Sequence, residues 1–484
     1  MNTKIKCILI IDQGTTSTKV SLVNQEGKIV KSESRKVVQE HYENGEILVD
    51  AYLIYKDIIY LINLIATDDF EILSIAITNQ RETIVMFDKK TKKCLSKAIS
   101  WQATHTSYII NEWISLGYTL LVKNKTGLYI SPYFSASKIK HLMNKNEIND
   151  DVVFGTIDVY LLFMLTGEIK TDHTNASRTM LYNIHNLCYD EELLDLFGID
   201  CKYLPPIYSS DNVFGYFKHK NNKIKINTIL GDQQAALFGS RCFSKGEMKT
   251  TYGTGCFLLI NNGNGIESYD SKLIDTIAWV RNNCVTYAKE GAILVAGSAI
   301  SWLKDNLNII NDVKESEEKA FSSMDDELIV VQSFAGLTTP YWSSAKGAIF
   351  GLKLNTSKDD ITKALLKGIA FSVKDITTEY EKEENIKILK MMVDGKASEN
   401  KFLMSFQASI LDLKVIKELE SELTTMGAFY MSALENKIFK DEKEIERIYK
   451  PNIYFESSLP KEEVKRQYDK WLIAIKKVME YEKL

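Results

Sequence analysis

Two segments in opposite halves of the chain follow one pattern: an apolar run, a turn of glycine and hydroxyl residues, and a second apolar run. In the first, residues 7–11 lead through Asp12-Gln13-Gly14-Thr15-Thr16-Ser17-Thr18 to residues 19–24. In the second, residues 248–252 lead through Gly253-Thr254-Gly255 to residues 256–261. Short apolar runs bounded by turn residues predict buried strands. A strand, turn and strand unit met twice, with no strict short period between, predicts two structurally related halves and excludes solenoids and propellers. The first unit continues through Gln25-Glu26-Gly27-Lys28 into a further strand at Ile29-Val30.

Elsewhere strands and helices alternate, which predicts an α/β chain. Strands are expected at 72–77, 84–87, 224–230 and 388–393. Helices are expected at 233–238 with Gly239 as a stop, at 296–306, at 361–379, and as an amphipathic surface segment at 461–484. A length of 484 residues exceeds what one core usually serves, so two domains are expected, 1–244 and 245–484.

The composition, 45% hydrophobic and 26% charged, is that of an ordinary globular protein. A formal net charge of -4 and the lack of a basic block give no case for nucleic acid. Seven cysteines without a Cys-x-x-Cys point to reduced thiols and away from a disulfide frame or zinc site; six scattered histidines suggest no metal cluster. Five apolar residues before Asp12 are too few for a signal peptide, and no run approaches the ~18–20 residues that span a bilayer. A cytoplasmic protein without membrane insertion is expected.

No Gly-x-x-x-x-Gly-Lys-Ser/Thr or Gly-x-Gly-x-x-Gly occurs, nor a His-Glu-x-x-His or Gly-x-Ser-x-Gly. The remaining candidates are turns of another kind. Residues 12–19 offer glycine for close backbone approach, hydroxyls for phosphate and Asp12 as a hard magnesium ligand; a plain hydroxyl-rich hairpin fits equally. Arg81 and Glu82 adjoin between two apolar runs, and only a turn lets neighbours serve one site. There an Arg donor and a Glu acceptor satisfy the hydroxyls of a small polyol, whereas a surface ion pair is the simpler account of the two alone. Asp232 begins a helix after Gly231, serving as an ordinary N-cap or in catalysis. Trp101, Tyr133 and Phe257 are core aromatics by default.

Taken together and in order, these strings resemble the FGGY carbohydrate kinases, in particular those that act on glycerol. The resemblance runs from residue 7 to about 440. It covers Asp12-Gln13-Gly14-Thr15-Thr16-Ser17, Thr78-Asn79-Gln80-Arg81-Glu82-Thr83, Ser131-Pro132-Tyr133-Phe134-Ser135 and Thr174-Asn175-Ala176-Ser177-Arg178-Thr179-Met180. It continues through Gly231-Asp232-Gln233-Gln234-Ala235-Ala236-Leu237-Phe238-Gly239, Thr251-Tyr252-Gly253-Thr254-Gly255-Cys256-Phe257 and Pro340-Tyr341-Trp342.

The resemblance implies a two-domain, actin-like (ribonuclease-H-like) ATPase fold with the active site in the cleft. It implies ATP-dependent phosphorylation of glycerol to sn-glycerol 3-phosphate, with ATP and Mg2+ required and a homo-oligomer, dimer or tetramer. Arg81, Glu82, Tyr133, Asp232 and Gln233 would then bind the glycerol hydroxyls, and Trp101 and Phe257 would form an apolar wall. Asp232 would be the general base and Asp12 the magnesium ligand. Thr15, Thr16, Ser17, Lys19 and Thr254 would face the phosphates; Gly297, Ser301, Lys396 and Asn400 would face the nucleoside.

Departures from the family fall mainly on the nucleotide side: Lys19 for an expected Arg, Ser301 for a Gln, and Gly395-Lys396-Ala397 for Gly-Gly-Ala. After Trp101-Gln102 the chain reads Ala103-Thr104-His105-Thr106 where the family commonly has Cys-Arg-Arg-Thr. Another small polyol as substrate, and a regulatory relative with impaired nucleotide binding, are the alternatives. A loop that in some relatives binds fructose 1,6-bisphosphate, Gly-Gly-Lys-Gly-Gly-Thr-Arg, corresponds here to residues 215–223, with one glycine and no arginine. Specific inhibition is therefore not expected, and His219 is the local candidate for phosphorylation.

Overall fold

The computed structural model describes residues 4–266, 271–419, 422–448 and 453–483. Its two largest sheets share one plan. In the first, β1 (Ile5–Gln13), β2 (Ser17–Asn24) and β3 (Ile29–Lys36) form an antiparallel meander, and β4 (Phe70–Asn79) and β5 (Asn222–Gly231) extend it in parallel with β1. The order is β3-β2-β1-β4-β5, with the hairpin strand Gly215–His219 at the edge. In the second, β6 (Glu247–Tyr252), β7 (Cys256–Gly263) and β8 (Cys284–Ile293) form the meander, and β9 (Lys390–Asp394) and β10 (Val415–Lys417) the parallel extension. The order β8-β7-β6-β9-β10 repeats the first. This is the duplicated ribonuclease-H-like plan of actin-like folds, and the paired turns after β1 and β6 are its two equivalent corners.

Between the sheets lie helices α1 (Asp232–Gly239) and α3 (Leu423–Glu435); α2 (Gly297–Asp305) flanks the second sheet. Ala235, Phe238, Met426 and Phe429 share a core with Ile8 and Ile10 of the first sheet and Leu259 and Met392 of the second. The helices cross backbone to backbone: a Cβ on Gly239 would lie 2.0 Å from the Leu423 carbonyl oxygen, and one on Gly427 1.7 Å from that of Ala235. Gly239 is thus required by the crossing, and the helix ends on it, as expected, with Ser240 as its C-cap.

Register places the site. Gln13 pairs with Asn79, and Asn79 with Gly231, so β1, β4 and β5 end at one level. The three segments that follow, at Gly14, Gln80 and Asp232, therefore open along one sheet edge, where α/β sheets bind ligands. In the second sheet Thr251 pairs with Asp394, which brings Gly253 and Gly395 to a matching edge.

The predicted elements all appear, with longer bounds for several. The helix expected at 361–379 extends over Lys358–Glu384, where Ser357 and Asp360 form a capping box. The C-terminal helix, Lys461–Tyr481, is anchored by buried Trp471, whose Nε1 donates to Asp375 at 2.8 Å; Leu484 lies outside the described residues.

Candidate active site

Between β4 and the strand Ile84–Asp88 the chain turns sharply at Glu82, whose φ is +62°. That left-handed conformation is uncommon for a residue with a side chain and stores local strain. The Gln80 amide donates to the Gln13 carbonyl at 2.7 Å and holds the turn against β1. The turn reconciles two neighbouring side chains with one pocket, as the sequence requires.

Both side chains are buried, and two residues without an assigned role in the sequence complete the network. Glu82 accepts from Nε of Arg178 at 2.6 Å. Glu290, on β8, accepts from Nη2 of Arg178 at 3.0 Å and from Nη1 of Arg81 at 2.8 Å. Arg178 is fully buried and Glu290 is 4% exposed. Burial works against the charge of Arg81, but Glu290, Glu82, Tyr133 and Asp232 around it hold its pKa well above the ordinary value. Glu290 is pulled down to about 2 by the two guanidiniums despite its burial, whereas burial leaves Glu82 raised. A signal for Glu290 was available: Lys289-Glu290 places two charges inside an otherwise mostly apolar strand.

Asp232 is the first helical residue of α1, not its N-cap; Gly231 occupies that position with extended backbone. Its side chain is 27% exposed, with Oδ1 3.5 Å from Nε of Arg81 and accepting from the Gln233 amide at 2.7 Å. Burial raises its pKa, against the pull of Arg81, the Gln233 amide and Lys249. Lys249 donates to Oε1 of Gln233 at 3.3 Å.

The rings of Trp101 and Tyr133 meet edge to face with centroids 5.4 Å apart, and Nε1 of Trp101 donates to Thr15 Oγ1 at 2.9 Å. Phe257, on β7, lines the same cavity. Together Thr15, Arg81, Glu82, Trp101, Tyr133, Asp232, Gln233 and Phe257 line a cavity of about 80 Å³. That is room for roughly five to eight water-sized groups. All seven residues expected at the small substrate are thus in one place.

The nucleotide-side candidates divide. Thr254, Gly297, Ser301 and Lys396 line a cavity of about 450 Å³, which adjoins one of about 430 Å³ lined by Lys396 and Asn400. A Cβ on Gly297 would lie 2.4 Å from the Gly253 carbonyl oxygen, so the start of α2 closes directly on the second turn. Asn400 caps the helix Lys401–Leu411 and donates to Ser316. Lys396 has an exposed side chain between the two cavities. Across the cleft, the Gly14 amide donates to the Ser17 carbonyl and closes the first turn at 2.9 Å. Thr16 is exposed, and its carbonyl accepts from Val37. Lys19 is ion-paired with Glu422.

Asp12, at the end of β1, is pushed up to about 7 by burial, with the Asp232 and Glu422 carboxylates adding to the effect and Lys19 opposing it. Crowded carboxylates with too little compensating charge are the donor set that suits a hard divalent cation.

One grouping was not expected from the sequence. The histidines are scattered in sequence, but His105 and His141 meet Glu46 in a cluster away from the pocket, with one ligand atom from each within 4.8 Å of the others. Folding, and not local spacing, assembles it. His219 is 8% exposed within its hairpin, burial lowers its pKa, and it is not presented for modification.

Two sheets of the duplicated plan, with glycine-threonine turns on both walls of a cleft, define the actin-like class of nucleotide-dependent phosphotransferases. Residues 7–239 match the N-terminal domain and residues 248–435 the C-terminal domain of the FGGY family of carbohydrate kinases, and the chain belongs to that family. It is 39% identical to a glycerol kinase of Bacillus anthracis, over 97% of this chain and 98% of that one. It is equally similar to glycerol kinase 2 of Thermotoga maritima, over 99% and 100%. The crystal structure of Plasmodium falciparum glycerol kinase with ADP superposes with a TM-score of 0.94 at 34% identity, covering 98% of this chain and 99% of that one. A xylulose kinase of Lactobacillus acidophilus at 21% identity shares the fold, with a TM-score of 0.89.

Proposed function

We propose that this chain transfers the γ-phosphoryl group of ATP to a terminal hydroxyl of glycerol, giving sn-glycerol 3-phosphate. The observation that carries the reading is the cavity of about 80 Å³, lined by Arg81, Glu82, Trp101, Tyr133, Asp232, Gln233 and Phe257. Its volume suits a three-carbon triol, and its lining offers both donors and acceptors to the hydroxyls. A site built to hydrogen-bond each hydroxyl discriminates strongly against analogues that lack one.

In this reading Arg81 and Gln233 donate to the hydroxyls, Glu82 and Asp232 accept, and Tyr133 does either. Trp101 and Phe257 pack against the carbon chain and exclude water. Asp232 takes the proton of the attacking hydroxyl; burial makes it a stronger base than an exposed aspartate, and Arg81 keeps it oriented. The ATP phosphates lie between the turn at Thr15, Thr16, Ser17 and Lys19 and the turn at Thr254, with the nucleoside against Gly297, Ser301, Lys396 and Asn400. Asp12 holds magnesium, whose charge offsets that of the phosphates. The remaining catalysis is positioning: Thr15 joins the phosphate turn to Trp101, so the two subsites are set relative to one another. A division into domains 1–244 and 245–484 is supported by the two large sheets, each complete on its own side of residue 244.

A coupled assay of ATP consumption across glycerol, erythritol, dihydroxyacetone and xylulose tests the reading. Glycerol is expected to give the highest kcat/KM. A larger polyol turned over more efficiently would show that the pocket has been assigned to the wrong substrate.

A further inference from the structure

His105 stands in the segment after Trp101, at one of the positions where the family resemblance leads one to expect Arg. Its side chain is only 5% exposed, and among the described residues neither ring nitrogen has a hydrogen-bond partner. An imidazole buried in this way forfeits the water it would otherwise bind, and such a group calls for an explanation. Its Nε2 lies 3.8 Å from Oε1 of Glu46, and its ring meets that of His141 edge to face with centroids 4.6 Å apart. His141 is 5% exposed, and its Nδ1 is 3.1 Å from the hydroxyl of Tyr108.

From this geometry we propose that Glu46, His105 and His141 form a binding site for a zinc-class divalent cation, separate from the catalytic magnesium. Two imidazoles and a carboxylate are a known protein ligand set for zinc with a fourth position left open. Two imidazoles with a single carboxylate disfavour magnesium or calcium, which require several oxygens. The Tyr108 hydroxyl stands where a metal-bound imidazole usually has an outer partner that fixes its tautomer.

The framework around the cluster is already rigid. Glu46 follows Gly45, whose carbonyl accepts from the Thr104 amide at 2.9 Å; a Cβ on Gly45 would lie 2.4 Å from Thr104 Oγ1. The hydroxyls of Thr106 and Ser137 are 2.9 Å apart, which ties the His105 segment to the helix Ser135–Lys145 that carries His141. That helix donates from Ser135 Oγ to the Glu82 carbonyl and from Lys138 Nζ to the Tyr133 carbonyl. A bound cation would therefore clamp the segment bearing Trp101 to the helix that supports Glu82 and Tyr133.

Chelator-stripped full-length protein, titrated with Zn2+ against a chromophoric indicator, is expected to take up one equivalent that excess Mg2+ does not displace. His105→Ala and His141→Ala should each weaken that binding at least ~10–100-fold, the loss that removal of an outer partner alone produces. Glu46→Gln keeps the shape and should weaken it too. Co2+ in place of Zn2+ should give visible absorption without a thiolate charge-transfer band. Each variant's metal-free Tm is compared with that of the parent, so that loss of folding is separated from loss of a ligand. No saturable equivalent, parental affinity in both histidine variants or in Glu46→Gln, or a thiolate band placing the metal on exposed cysteines would each overturn the site.

Discussion

Nε of Arg81 lies 3.5 Å from Oδ1 of Asp232, whereas Nη1 of the same guanidinium lies 2.8 Å from Glu290. The closer contact is with the buried partner. Asp232 is therefore oriented by Arg81 without being fully neutralised by it, and burial is left to raise its pKa. A carboxylate held in this way is a better proton acceptor than one in a tight ion pair.

Replacing Asp232 with Asn preserves the shape and removes the base. Loss of a general base typically costs ~10²–10⁴-fold. Turnover should fall by that much while glycerol binding, measured by calorimetry, largely remains. A variant with near-parental kcat would exclude Asp232 from the proton transfer.

Glu290 is the shared acceptor of two buried guanidiniums, so Glu290→Gln leaves Arg81 and Arg178 with too little negative charge. Breaking a buried pair on one side costs about 3–5 kcal/mol. Urea denaturation should show a loss of that order, together with a raised KM for glycerol. Unchanged stability would mean that water or backbone compensates both arginines.

Asp12 gives a pH dependence of definite sign. Its folded pKa is raised from 3.8 to about 7, so its contribution to stability is fully present below pH 3.8 and is lost as pH rises through about 7. A divalent cation bound there offsets the loss. Mg2+ should therefore raise Tm more at about pH 8 than at about pH 5. An equal gain at both, or the same gain in Asp12→Asn, would place the cation elsewhere.

Lys396 stands between the two nucleotide-side cavities, at a position where the family resemblance implies glycine. Lys396→Gly is expected to tighten ATP binding or sharpen its preference over GTP. Calorimetry showing neither would mean that the side chain points to solvent in the complex.

Fructose 1,6-bisphosphate should not inhibit specifically. The hairpin of Gly215–His219 and β5 has one glycine and no arginine, and its Lys220 is paired with Asp68, so it lacks the glycine backbone and arginine forks that grip two phosphates. Saturable inhibition abolished by changing Lys218 and Lys220 would overturn this.

Much of this was legible in the sequence because the turn residues carry the chemistry. Gly14 and Gly253 marked the two corners, and Arg81-Glu82 announced a turn that only a left-handed Glu82 completes. Glu290 left a signal in its strand, but its pairing with Arg81 was hidden because it is recruited across the sheets, from a strand no local string ties to Arg81. The grouping of Glu46, His105 and His141 was hidden for the same reason. Gly239 reads in the sequence as a helix stop, and the helix does end there; only the neighbouring helix shows that it is also a point of contact.

That contact has a mechanical consequence. Gly239 and Gly427 bring two main chains so close that no side chain fits between them, so the crossing acts as a fulcrum. Asp232 sits at the far end of α1, seven residues along, a lever arm of roughly 10 Å at 1.5 Å per residue. A tilt of only ~10° at the fulcrum would displace the carboxylate by roughly 2 Å, enough to make or break a proton-transfer contact. A side chain as small as alanine at Gly427 thus acts on Asp232 without touching the pocket.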